Sequence, residues 1–137
     1  MATETARYIS YLEAVAIHFK LMRRLGETRY GIWDRSLIES ALARPQQAAH
    51  YAQADLLEQA ATLCYGLIKN HPWQGGNKRT ATTITDAFLK RNGRRINAPL
   101  EAIVDLVLNI EADRWLMTDI RQWLETYTPL FPKRSMM

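Results

Sequence analysis

Between Leu56 and Ile68 the chain carries Leu57, Ala60, Ala61, Leu63, Cys64 and Leu67, so apolar residues fall on nearly every side of one helix. No stretch is long enough to span a bilayer, and a water-soluble helix that is apolar all round has to be wrapped by others. Asp55 with Glu58 makes a capping-box start for it. A helical wrapping follows, and 137 residues that are 47% hydrophobic suffice for one core and one domain, 1–137. The single cysteine, Cys64, allows no intramolecular disulfide and no zinc cluster and reads as a buried small residue. With no secretory h-region, the expected setting is the cytoplasm.

The wrapping elements are legible from caps and periodicity. Residues 1–6 read as a loose end and Arg7-Tyr8-Ile9 as a short strand. Ser10 and Glu13 form a capping box for a helix with Leu12, Val15, Ala16, Phe19 and Met22 on one face, ended by Gly26. His18, with no second ligand at metal spacing, reads as structural. Asp34 or Ser36 opens the next helix, with Ser36 and Glu39 as a second capping box, and Pro45 is expected to stop it. Residues 45–54 then read as a loop, and His50 as a loop histidine rather than a substrate contact.

Downstream, Ala81, Ile84 and Phe88 mark the buried stripe of a helix that runs to about Asn92, with Gly93 just past its end. Lys90, Arg91, Arg94 and Arg95 suit a helix C-terminus electrostatically; the alternative is a docking patch for an acidic partner. Arg95-Ile96 can pair with Tyr8-Ile9 as a minimal two-strand ladder. Asn97 as cap and Pro99 in the first turn open a helix through Leu100, Ile103, Val104, Val107 and Ile110. Thr118 is the expected cap of a last helix, which Pro129 and Pro132 end, leaving 133–137 as a tail. The fold class is all-α, a compact bundle of about six helices.

The chemistry is concentrated where the apolar helix runs out, in His71-Pro-Trp-Gln-Gly-Gly-Asn-Lys-Arg79. Gly76 and Asn77 can turn the chain into a new helix, with Asn77 as N-cap. Free N–H groups and about half a positive charge at a helix N-terminus make an anion seat. Lys78 and Arg79 are unfavourable in a first turn unless an anion neutralises them. His71 is the one nearby residue that titrates near neutrality and so the candidate general base. Pro72 and Trp73 read as supports of the turn, and Trp73 as an anchor rather than a platform for adenine.

This stretch resembles the signature of the Fic/Doc superfamily, His-Pro-Phe-x-(Asp/Glu)-Gly-Asn-(Gly/Lys)-Arg. It matches at His71, Pro72, Gly76, Asn77, Lys78 and Arg79, with Trp73 for Phe. Lys78 resembles the Doc, or death-on-curing, branch, and the run from Gly31 to Pro45 resembles the segment beside that family's catalytic groove, which helps seat the target. The resemblance implies a toxin of a toxin–antitoxin pair, a kinase passing the terminal phosphate of ATP to a hydroxyl of elongation factor Tu. It further implies a small antitoxin whose disordered tail folds onto the toxin, with nucleic acid reached only through that antitoxin. His71 would be the catalytic residue, and Gly76, Asn77, Lys78 and Arg79 would hold phosphate. The alternatives are a Fic-type AMP-transferase and a weak or inactive nucleotide- or partner-binding module. Where the family carries its acidic ligand for Mg2+ this chain has Gly75, leaving Asn77 as the remaining candidate ligand in the motif. The next acid along the chain, Asp86, is ~15 Å down the following helix.

Overall fold

The computed structural model describes residues 6–130, which form six helices: α1 (Tyr11–Arg24), α2 (Arg35–Ala52), α3 (Leu56–Asn70), α4 (Asn77–Arg91), α5 (Leu100–Glu111) and α6 (Met117–Tyr127). The expected loose ends lie outside these residues, as does Pro132, except that Ala6 is described and packs against the core. Helix α3 is the axle: α2, α4, α5 and α6 all pack on it. Leu57, Leu63, Cys64, Leu67 and Ile68 are each at most 4% exposed, so the apolar girth of this segment is matched by neighbours on several sides. Its capping box forms in both directions, Asp55 accepting from Glu58 N–H at 2.8 Å and Glu58 from Asp55 N–H at 2.7 Å.

Helix α1 starts on the expected reciprocal bonds between Ser10 and Glu13. Its buried track, however, is Ala14, His18 and Met22, whereas Leu12 is 76% exposed. The face that meets the bundle follows an i, i+4 track through a small residue and a histidine, which hydrophobicity alone does not select.

Helix α2 departs most from expectation. It runs straight through Pro45 to Ala52, so the loop expected over 45–54 is mostly helix. Proline inside a helix costs about 3 kcal/mol. The offset is tertiary: Pro45 is buried, and α2 presses on α3 where Gly66 leaves room. A Cβ on Gly66 would stand 2.7 Å from Arg44 Cδ and 3.3 Å from Ala41 Cβ. The helix instead ends at Gln53, which turns left-handed (φ 52°) while Ala54 N–H returns to the Ala48 carbonyl at 3.2 Å. At the other end Asp34 is the cap, accepting from Leu37 N–H at 3.2 Å. The Ser36–Glu39 box does not form: the Ser36 hydroxyl donates to Asp34 at 2.6 Å, and Glu39 pairs with Arg35.

The expected ladder between 8–9 and 95–96 is absent. Asn92 at the end of α4 holds the N-terminal segment instead, its amide bonding both the N–H (2.9 Å) and the carbonyl (3.0 Å) of Arg7. The bridges among the described residues are Ile32 with Trp73 and Arg94 with Leu130. Three of the clustered cations are structural: Arg91 binds Glu13 and the Tyr8 carbonyl, Arg94 the Thr128 carbonyl, and Lys90 pairs with Asp86. Asn97 does not cap; its N–H donates to the Tyr127 carbonyl at 2.7 Å, and α5 begins after Pro99. Thr118 lies inside the first turn of α6, where Asp119 reaches back to Leu116 N–H at 2.8 Å.

Candidate functional site

The motif turn is held from three sides. From α3, Asn70 sends its amide to the Leu37 carbonyl at 2.9 Å, and His71 then leaves the helix in a left-handed conformation (φ 48°) that places its side chain half in solvent. From the connector before α2, Trp33 and Asp34 N–H groups donate to the Pro72 carbonyl at 2.9 and 3.1 Å, and Gln74 N–H donates to the Gly31 carbonyl at 2.9 Å. From α1 comes His18, fully buried and stacked on Trp73 with ring centroids 4.2 Å apart. Gly31 N–H donates to His18 Nε2 at 3.0 Å, so that nitrogen carries no proton and Nδ1–H donates to Thr80 Oγ1 at 2.8 Å. Burial pushes this imidazole down to about 4, so it is neutral at physiological pH.

Within the turn the N-cap position belongs to Gly76, not Asn77. Gly76 is left-handed (φ 65°), and a Cβ there would meet Met22 Sδ at 2.5 Å. Asn77 is the first helical residue, and its amide closes on Trp73, accepting from the N–H and donating to the carbonyl, both at 3.0 Å. Trp73 is 3% exposed and packed on His18, so its ring has no face open to a nucleotide. Gly75 does not have positive φ; its constraint is space, since an added Cβ would stand 2.5 Å from the Arg29 carbonyl oxygen.

His71, Gly76, Asn77, Lys78 and Arg79 all line one cavity of about 360 Å³, closed on the other side by Met22, Leu25 and Glu27. The first turn of α4 has no acidic residue and no side-chain cap. Its leading N–H groups are thus free donors at the positive end of the helix, with two cations beside them. His50 lies elsewhere, in a cavity of about 620 Å³ at the far end of α2 that shares no residue with the motif.

The acid that motif reading missed is Glu111, the last residue of α5. One carboxylate oxygen stands 3.4 Å from His71 Nε2 and the other 3.4 Å from Lys78 Nζ. Linear distance along α4 led to Asp86, which instead accepts from Ile96 N–H at 2.7 Å. A second acid, Glu27, borders the cavity. Beyond Lys78 and Arg79 an apolar groove of about 310 Å³ runs along α5, where Leu100, Val104 and Leu108 are 73%, 42% and 47% exposed.

These residues do not form a protein cradle for a divalent metal. Gly75 has no ligand atom in its side chain, both polar atoms of the Asn77 amide are engaged, and Glu111 is set between the His71 ring and the Lys78 ammonium. Among the described residues no three His, Cys, Asp or Glu side chains converge on a metal position.

The all-helical bundle thus brings a histidine and the cation-bearing N-terminus of α4 to one cavity. The Fic/DOC family matches residues 8–89, and the chain belongs to it. It is 33% identical over 91 residues to "Protein kinase doc" of Escherichia phage P1, a match covering 66% of this chain and 71% of that protein. It is also 37% identical over 70 residues to "Toxin Doc" of Mycolicibacterium smegmatis, covering 50% of this chain and 54% of that protein. The family match spans α1 to α4 with the motif and stops before α5, so Glu111 lies beyond it. No described helix is long and apolar enough to cross a membrane.

Proposed function

We propose that the chain is a Doc-type toxin that transfers the γ-phosphoryl group of ATP to a protein hydroxyl. The observation that carries this reading is the first turn of α4, which bears Lys78 and Arg79 and no acid of its own and faces His71 across one cavity. Phosphoryl transfer asks mainly for positioning and for neutralisation of phosphate oxygens. The free N–H groups after Gly76 and the two cations supply the second, with Arg79 able to bind bidentately. His71 takes the hydroxyl proton while the oxygen bonds to the γ-phosphorus and the bond from that phosphorus to the β-bridging oxygen breaks, releasing ADP. Magnesium, were it to enter with the nucleotide, would supply further neutralisation of phosphate charge, and no carboxylate of the motif would hold it. Asn77 shapes the turn and acts on phosphate only through its backbone.

The protein target is elongation factor Tu, and the regulator is a small cytoplasmic antitoxin with a disordered tail. The exposed stripe of Leu100, Val104 and Leu108, with cations at its rim, offers such a tail an apolar seat. A second reading, a binding module with weak or no catalysis, is favoured by Gly75 and the Arg29 carbonyl that fills the space of a side chain there.

Labelled ATP separates these readings. Purified protein is incubated with elongation factor Tu and ATP labelled at the α or the γ phosphate. Label moving from γ alone, and lost in His71→Ala, is the expected result. Transfer of α label would make the chain an AMP-transferase. Binding of ATP without transfer of either label would leave the binding module.

A further inference from the structure

We infer that Glu111 is the positioning residue of this site, holding His71 and Lys78 in register through the two oxygens of one carboxylate. The inference rests on the kinase reading only for the role of His71 as base. Each oxygen has its own partner, 3.4 Å from His71 Nε2 on one side and 3.4 Å from Lys78 Nζ on the other. Contacts of this length are common in sites without substrate and tighten in the reacting complex.

The placement is built. Glu111 ends α5, where the helix dipole disfavours a negative side chain, so the helix itself gains nothing from it. Its backbone is pinned by Lys69 in the last turn of α3, whose Nζ lies 3.4 Å from the Glu111 carbonyl oxygen and 2.7 Å from Asp113 Oδ1. Asp113 adopts a left-handed conformation (φ 61°) as α5 ends, and its N–H returns to the Ile110 carbonyl at 3.1 Å. One turn of α3 therefore both pins Glu111 and delivers His71 two residues later.

The chemical consequence concerns which ring nitrogen works. Nε2 faces Glu111 at 3.4 Å, an ion-pair distance rather than a hydrogen bond, which leaves Nδ1 as the nitrogen for a hydroxyl. A carboxylate on the far side of an imidazole fixes its orientation and stabilises the imidazolium formed when the proton arrives. The same carboxylate keeps Lys78 beside the first turn of α4, ready for a phosphate oxygen.

The test uses the full chain with Glu111→Leu, which removes both contacts, and Glu111→Gln, which keeps an oxygen able to accept from Nε2–H. In nucleotide-free protein, the side-chain rotamer of His71 is read from NMR coupling constants. Wild type and Glu111→Gln are expected to show one dominant rotamer, and Glu111→Leu an average over several. In the transfer assay Glu111→Leu is expected to lower kcat by about a hundredfold, the scale of a misplaced reacting group, and to raise KM for ATP as Lys78 loses its placement. Equal rotamer averaging in wild type and Glu111→Leu would overturn the inference. So would a Glu111→Leu protein that binds ATP more tightly at unchanged kcat, which would make Glu111 an internal competitor for phosphate. Should wild type transfer nothing, the kinase reading fails, while the rotamer comparison still decides the role of Glu111.

Discussion

His18 and Trp73 lie face to face, with ring centroids 4.2 Å apart and planes 16° from parallel. The contact joins the first helix to the motif turn, and His18 adds bonds to the connector at Gly31 and to α4 at Thr80. Substituting alanine opens a cavity and strands a buried N–H and a buried hydroxyl. His18→Ala should lose about 2–4 kcal/mol in chemical denaturation. A loss below roughly 0.5 kcal/mol, the scale of surface changes, would mean that the stack contributes little.

The same residue sets a pH dependence. Its folded-state value is about 4 against an ordinary 6.5, so the unfolded chain binds more protons between these values. The contribution is present in full above 6.5 and is lost as the pH falls through about 4, amounting to as much as ~3 kcal/mol. Denaturation midpoints measured across this window should fall with acidity, and the slope should be shallower in His18→Asn.

Restoring a carboxylate at Gly75 meets the Arg29 carbonyl, which an added Cβ would approach to 2.5 Å. Both Gly75→Ala and Gly75→Asp should therefore melt lower, by about 1–3 kcal/mol of stability. Only Gly75→Asp should raise magnesium affinity in the presence of ATP. Two variants as stable as wild type would show that the connector yields freely.

Among the described residues no three His, Cys, Asp or Glu side chains converge on a metal position, so the cations should carry most of the nucleotide binding. Chelating magnesium should weaken ATP binding by calorimetry less than neutralising Lys78 and Arg79 together does, the latter removing about 1.5–3 kcal/mol per charge-assisted bond. Complete loss of binding on chelation, with the double variant intact, would reverse the assignment of the phosphate grip.

Cys64 is about 1% exposed, and burial pushes its thiol up to about 12. The thiolate is the reactive form, so iodoacetamide should label it only as the chain unfolds. Labelling rates should track the unfolding curve.

Much of the bundle was legible because its signals are local. The reciprocal caps at Ser10 and Asp55, the all-round apolar run of α3 and the motif each lie within one or two turns of chain. The rule that ends a helix before Pro45 is also local, whereas what overrides it is the close passage of Ala41 and Arg44 over Gly66. Residue type points to Asn97 and Thr118 as caps, yet the backbone enters α5 after Pro99 and α6 after Leu116. Glu111 was invisible for a different reason: its partners lie in two other helices, and its own segment reads as the tail of an amphipathic pattern. The left-handed conformation of Gln53 carries no glycine to announce it.

The clasp of the Asn77 amide on the Trp73 backbone has a kinetic meaning. Both ends of the turn are tied by the protein's own bonds, so no loop has to order itself when an anion arrives. Association should then be a single relaxation, with a rate governed by diffusion and slowed by added salt in proportion to the screening of Lys78 and Arg79. In stopped-flow measurements the observed rate should rise linearly with nucleotide concentration, without the plateau that a closing step imposes.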